Sequence, residues 1–192
     1  MLEITQEIVA SLEEKMVSST PVFDGRILHV RDDVISLPNG KSAPREVIGH
    51  NGAVCIVPLL PNGEIIMEYQ YRYAVGEVMV EIPAGKLDSR QEDPLAAAKR
   101  ELREETGAVA EKWTYLGQYI PSPAILEEKI YMYLAEDISF TECDYDDDEF
   151  MTLTRVPLSY AVEKVMRGEI PDGKTQAALL RVYMMKQKEC GE

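Results

Sequence analysis

At 192 residues the chain suits one domain, with room for a small appended subdomain, and it can bury a real core. Hydrophobic content of 45% and charged content of 28% are ordinary for a soluble globular protein, while a net charge of −14 argues against a general binder of nucleic acid or anionic membrane. Three cysteines, Cys55, Cys143 and Cys190, are odd in number and lack metal-ligand spacing, so neither disulfides nor zinc are expected.

The N-terminus is acidic through Glu3, Glu7, Glu13 and Glu14 and has no apolar core, so it does not read as a signal peptide. No stretch of about 18 apolar residues is present to span a membrane, and the cytoplasm is the expected compartment. Residues 2–16 space Ile4, Ile8, Leu12 and Met16 along one face of a short amphipathic helix. From Pro21 the texture changes. Residues 22–30 and 33–37 read as strands, Pro38-Asn39-Gly40 as a turn, and 43–48 as a third strand of an antiparallel meander.

Residues 52–60 form a continuous apolar run, the pattern of a central strand. A Pro61-Asn62-Gly63 turn leads into a strand over 65–72, and 78–82 is a short strand ending at Pro83-Ala84-Gly85-Lys86, read as a glycine turn. Asp93-Pro94 then supplies an N-cap and a proline at the first helical position, and Gly107 supplies the stop. Between them Leu95, Ala98 and Leu102 give the helix one buried stripe. Strands are expected over 113–119 and 129–134, joined by residues 120–126, and again over 151–156. An acidic loop spans 141–149. Helices over 158–167, stopped at Gly168, and over roughly 174–188 close the chain.

The carboxylates of the middle helix are its odd feature. At about 100° per residue, Glu101, Glu104 and Glu105 fall within one arc turned away from Leu102. They occupy the last two turns, where the helix dipole disfavours negative charge and like charges three and four apart repel. One reading is a solvated acidic face balanced by Lys99, Arg100 and Arg103. The other is a cluster of hard oxygen ligands for a divalent ion such as Mg²⁺ or Mn²⁺.

The ordered pattern favours the second reading. Gly85, Glu92, Arg100, Glu101, Leu102, Glu104, Glu105, Gly107 and Ala108 follow one another as in the Nudix box, which this stretch resembles. Six residues, where the box has five, separate Gly85 from Glu92; the extra one falls in the Ser89-Arg90-Gln91 loop, where an insertion costs little. The resemblance implies that Glu101 and Glu105, then Glu104 and the Ala84 carbonyl, hold the metal while water attacks a diphosphate. It also implies that Arg100 orients the glutamates and that Glu92 braces them.

Outside the box the chain is similar to the ADP-ribose pyrophosphatase branch through Arg45-Glu46, Gln70-Tyr71-Arg72, residues 81–86, Ser122-Pro123 and residues 148–150. Pro123 stands 16 residues after Gly107, the branch spacing. By resemblance, Arg72 meets the diphosphate and Glu128 lies near the metal, with Glu81, Pro123, Arg45 and Phe23 on the substrate side. Arg72 could instead only pair with Glu68 or Glu77. Ala124-Ile125-Leu126-Glu127 departs from the branch pattern, which bears on sugar specificity. The branch carries its catalytic base on the acidic loop, making Glu149 and then Asp147 the candidates: a loop can bring a carboxylate to the attacking water only when substrate is present. His29 and His50 lack a partner nucleophile and read as structural, and Met132, Met166, Met184 and Met185 as packing.

The expected fold is α+β: a Nudix-type α/β/α sandwich with a mixed sheet (residues 50–192) preceded by a small antiparallel sheet (residues 1–49). The branch implies a homodimer with exchanged N-terminal sheets. The expected activity is Mg²⁺-dependent hydrolysis of a nucleoside diphosphate sugar, foremost ADP-ribose to AMP and ribose 5-phosphate. The alternatives are the same chemistry on a nucleotide-mannose or a dinucleotide, or a Nudix domain that senses a ligand without hydrolysing it.

Overall fold

The computed structural model describes residues 2–141, 150–189 and 191. The chain forms two compact units: Met1–His50 with Ser122–Glu128, and Asn51–Pro121 with Lys129–Glu192.

In the first unit, helix α1 (Gln6–Leu12) starts at an N-cap, Thr5, whose side chain accepts from the Ile8 N–H. It stops well short of Met16. Lys15 already opens strand β1 (Lys15–Asp24), followed by β2 (His29–Ser36) and β3 (Ser42–Gly49), an antiparallel sheet in the order β1-β2-β3. The expected helix over 2–16 was therefore too long. The apolar spacing of Ile4 to Met16 fits a helix, but pairing of Lys15 with Ser36 and Met16 with Ile35 claims its last turn for the sheet. The strand expected over 22–30 also breaks. The Gly25 N–H donates to the Leu28 carbonyl at 2.9 Å, closing a hairpin between Asp24 and His29.

Residues 122–128 belong to this unit because they extend its sheet edge. The Ile48 N–H donates to the Ile125 carbonyl at 2.7 Å, and the Glu127 N–H to the Ile48 carbonyl at 3.0 Å. The Arg31 Nη2 donates to Glu127 at 2.6 Å while its Nε holds Asp33 at 3.0 Å. Along β1 every residue is exposed, and α1 buries none.

The second unit is organised on β4 (Ala53–Pro58), all six of whose residues are buried. It runs parallel to β9 (Ile130–Phe140) and antiparallel to β7 (Ala84–Lys86), and β8 (Ala108–Tyr119) completes the mixed sheet β7-β4-β9-β8. Strand side chains alternate between faces. Cys55, Val57, Met132 and Leu134 therefore pack with Ala161 and Val165 of α3 (Leu158–Met166) and Leu179 and Val182 of α4 (Gly173–Glu189). Val54, Ile56, Tyr133 and Ala135 pack with Ala97, Ala98 and Leu102 of α2 (Pro94–Thr106). Burial on both faces is why β4 reads as an unbroken apolar run. The result is the expected mixed sheet between helices.

A second sheet, β10-β5-β6, joins β5 (Glu64–Arg72), β6 (Glu77–Glu81) and β10 (Met151–Pro157). Strands β8 and β9 run longer than their apolar patterns suggest. Their polar ends are held by cross-strand pairing of Lys112 with Glu136, an ion pair at 2.9 Å. Among the described residues no helix is long and apolar enough to cross a membrane.

Candidate active site

The site is built where α2 meets β7. The Asp93 side chain caps α2, accepting from the Leu95 and Ala96 N–H groups at 2.7 and 3.0 Å. Gly107 ends the helix in the left-handed conformation, φ 65°, and its N–H returns to the Arg103 carbonyl. Burial of Leu102 then fixes which face of α2 meets β7.

On that face the carboxylates are graded in exposure rather than evenly solvated. Glu105 is 4% exposed, and its Oε2 accepts from the Ala84 N–H at 3.1 Å. Glu101 lies against Gly85 so closely that a Cβ at residue 85 would fall on its carboxyl carbon. Gly85 is thus not a turn, as the sequence suggested. It is the middle of β7 and does not need a positive φ; glycine is required there because Glu101 occupies the space. Glu104 is the outermost of the three. A solvated acidic face does not describe this arrangement.

Arg100 distributes its donors instead of forking one carboxylate. Its Nη1 donates to Glu101 at 2.8 Å and to Glu104 at 3.2 Å; its Nη2 donates to the Lys86 carbonyl at 3.3 Å and to Glu92 at 3.4 Å. Burial opposes its charge, but Glu101, Asp88 and Glu92 outweigh that and raise its pKa further above the ordinary arginine value. Glu92 also accepts from the Asp88 N–H at 2.6 Å, so the longer loop still returns its glutamate to the arginine. Among the described residues no three acids, imidazoles or thiols already converge as a metal cage. Arg100 and the Ala84 N–H engage these carboxylates instead. The donor set nevertheless suits a hard cation, with three glutamates beside a backbone cleared of any side chain at Gly85.

A second constellation stands three residues up the chain from Ala84. The Nε and Nη2 of Arg72 donate in parallel to the two oxygens of Glu81, at 2.6 and 2.8 Å. Arg72 thus takes Glu81 as its hydrogen-bond partner, and the charge of Glu68 also acts on it. Glu81 is 2% exposed and also takes the Lys174 ammonium, which Asp172 holds from its other side at 3.0 Å. Burial disfavours the Glu81 charge, yet the hydrogen bond from Arg72 and the charge of Lys174 win and lower its pKa. For Lys174 burial likewise opposes ionisation, and Asp172 and Glu81 reverse it. Because β6 runs straight into β7, the Cα atoms of Glu81 and Ala84 are at most about 10 Å apart by chain reach. Arg72, Glu81, Glu101, Glu104, Glu105 and Ala84 thus come together in one unit.

Arg45, Phe23, Pro123 and Glu128 belong to the other unit. Arg45 is paired by both Nε and Nη2 with Glu14, Phe23 is exposed, and Glu128 lies 3.6 Å from His50. Pro123 follows Ser122 in a turn whose Ser122 carbonyl accepts from Leu126 at 3.0 Å. Asp147 and Glu149 lie outside the described residues. Sequence reading missed Lys174, Asp172 and Thr175. Their only signal was a Lys-Thr pair opening the last helix, which looks like ordinary helix surface until the fold brings it to Glu81.

Comparison with known proteins shows the family. Residues 49–175 match the NUDIX domain family, and residues 14–48 match the nucleoside diphosphate sugar hydrolase N-terminal domain. The chain is 39% identical to a Bacillus subtilis protein named ADP-ribose pyrophosphatase, over 88% of this chain and 92% of that one. A Mycobacterium tuberculosis protein of the same name is 36% identical, over 91% and 86%. A Bacillus methanolicus protein named methanol dehydrogenase activator is 37% identical, over 87% and 91%. The fold matches a crystal structure of an ADP compounds hydrolase with a TM-score of 0.82 at 23% identity, covering 93% of this chain and 97% of that one.

Proposed function

Because the chain belongs to the NUDIX family of hydrolases, we propose that its site cleaves the diphosphate of a nucleoside diphosphate sugar, foremost ADP-ribose, giving AMP and ribose 5-phosphate. The carrying observation is the closure of Glu101 onto Gly85 beside the buried Glu105, with Arg100 bracing Glu101 and Glu104. ADP-ribose is the choice because it is the named substrate of two relatives aligned over most of their length and because the N-terminal segment matches a nucleoside diphosphate sugar hydrolase domain.

Glu101, Glu105 and Glu104, with the Ala84 carbonyl, would hold a divalent ion, for which we infer Mg²⁺ or Mn²⁺. Bound there, it supplies charge neutralisation on the diphosphate and lowers the pKa of the attacking water. The protein's own part is to keep these carboxylates aimed. Arg100 does so from one side and the Ala84 N–H from the other. Arg72, oriented by Glu81, offers its remaining edge to the diphosphate, and a carboxylate of the acidic loop, Glu149 ahead of Asp147, takes the proton of the attacking water. Arg45, Phe23, Pro123 and Glu128 are assigned to recognition of the rest of the ligand. The exposed apolar residues of β1, including Met16, Val17, Val22 and Phe23, support a homodimer with exchanged N-terminal sheets.

The test is incubation of the purified protein with a panel of nucleoside diphosphate derivatives, with and without Mg²⁺, reading products by chromatography. ADP-ribose should give equimolar AMP and ribose 5-phosphate only with metal. Preferred turnover of a nucleotide-mannose or a dinucleotide would replace the substrate, and tight binding with no turnover of any member would remove the hydrolase reading. Light scattering should return twice the chain mass.

A further inference from the structure

We propose that Lys174 is a positioning residue for Arg72, acting through Glu81: it takes enough of that carboxylate's charge to leave the arginine both aimed and attractive to a diphosphate. The inference rests on the reading that Arg72 meets the diphosphate.

Four groups alternate in sign across this cluster: Arg72, Glu81, Lys174 and Asp172. The Lys174 side chain is 13% exposed and that of Glu81 2%, so their interaction is little screened by solvent. Glu81 Oε2 receives both Arg72 Nη2 and Lys174 Nζ, whereas Oε1 receives Arg72 Nε. Among the described residues Arg72 Nη1 makes no hydrogen bond, and the side chain is 36% exposed. The planar fork is therefore held by one edge and open at the other, the geometry that suits bidentate recognition of phosphate.

Charge decides why a second cation is needed. Glu68 is fully buried directly opposite Glu81 in the β5–β6 register, and its charge also acts on Arg72. Arg72 thus lies in the field of buried carboxylates on a chain already at −14, and an anionic ligand meets it only as far as the Glu81 charge is shared with another cation. Lys174 shares Glu81 Oε2 with Arg72 and so draws on that carboxylate at the atom the arginine uses, while Asp172 holds the ammonium in place. Its position is set by the fold: Asp172 accepts from the Thr175 N–H at 3.0 Å at the start of α4, and Thr175 Oγ1 accepts from the Ile82 N–H at 3.1 Å. The first turn of α4 is thereby fastened to the end of β6, one residue from Glu81.

A double-mutant cycle tests this in the full-length protein, with ADP as the diphosphate probe and calorimetry in Mg²⁺ buffer as the readout. Lys174→Gln should weaken ADP binding about tenfold, or roughly 1.4 kcal/mol, and raise substrate KM by a similar factor with kcat changed less than about threefold. In an Arg72→Ala background the same substitution should change ADP affinity less than about twofold, because its effect runs through the arginine. Lys174→Arg, which retains the charge, should recover most of the loss. Lys174→Met is carried through the same cycle so that a folded variant, checked by thermal melting, is in hand. Equal losses in both backgrounds, or no loss in the first, overturn the proposal. So does an Arg72→Ala protein with unchanged ADP affinity. Wild-type protein that binds ADP but hydrolyses nothing removes the hydrolase reading and leaves the binding cycle to decide this one.

Discussion

The carboxylate of Glu101 occupies the space in which a side chain at Gly85 would begin. Helix and strand meet there without a spacer. Any Cβ at residue 85 must push Glu101 aside, and Gly85 has ordinary strand backbone, so the substitution acts by volume alone. Gly85→Ala should fold with a stability cost of about 1–3 kcal/mol from overpacking. Its Mg²⁺ activation midpoint should rise at least about tenfold, a shift of roughly 1.4 kcal/mol. A metal titration of activity beside a melting curve separates the two effects, and an unchanged midpoint would remove Glu101 from the metal set.

Glu105→Gln keeps an oxygen for the Ala84 N–H, which the glutamate engages at 3.1 Å, and loses only the charge. The thermal midpoint should stay near that of the wild type while kcat falls about a hundredfold, roughly 2.7 kcal/mol in barrier height. Full Mg²⁺-dependent activity in this variant would refute the metal assignment.

Glu149→Gln and Asp147→Asn separate the candidates for the base. Loss of a positioned general base costs about 10²–10⁴-fold, and it should fall on Glu149 with the alkaline rise of kcat abolished. Equal and small losses in the two variants would mean that neither carboxylate accepts the proton.

Stability should fall in acid through Glu81. Its folded-state pKa is held below its ordinary value by Arg72 and Lys174 in spite of burial. The contribution is therefore complete above the unfolded-state pKa of about 4.3 and is lost as pH drops through the lower folded value. Lys174 sets the opposite limit: its raised pKa makes its contribution complete below about pH 10.4 and lost as pH climbs through the folded value. Glu81→Gln should cost on the order of 3 kcal/mol at neutral pH and flatten the acid limb in urea melts between pH 3 and pH 6. A variant that retains the wild-type acid limb would show that other carboxylates govern it.

The reaction class and the layering of the fold were legible before any packing was known, because both are written in local order. The helix capped by Asp93-Pro94 and ended by Gly107 needs only neighbouring residues. The apolar run of β4 declares burial on both faces. The glutamate spacing of Glu101, Glu104 and Glu105 is a property of one helix. Chain ends and pairings were less legible. Helical spacing from Ile4 to Met16 could not show that β2 would claim Met16, and three residues of β7 are too few to carry a pattern.

Which partners the charged residues take was set by packing across the chain. Arg72 had nearby acids at 68 and 77, and the β5–β6 register even sets Glu77 opposite it, yet its guanidinium lies along Glu81, to which the α4 start adds Lys174 from 93 residues beyond. Electrostatic partnership depends on distance and burial, which chain order does not encode at long range. Gly85 makes the same point in steric terms. Its place was legible in the box, while its reason, the carboxylate of Glu101 pressed against bare backbone, exists only once helix and strand are packed.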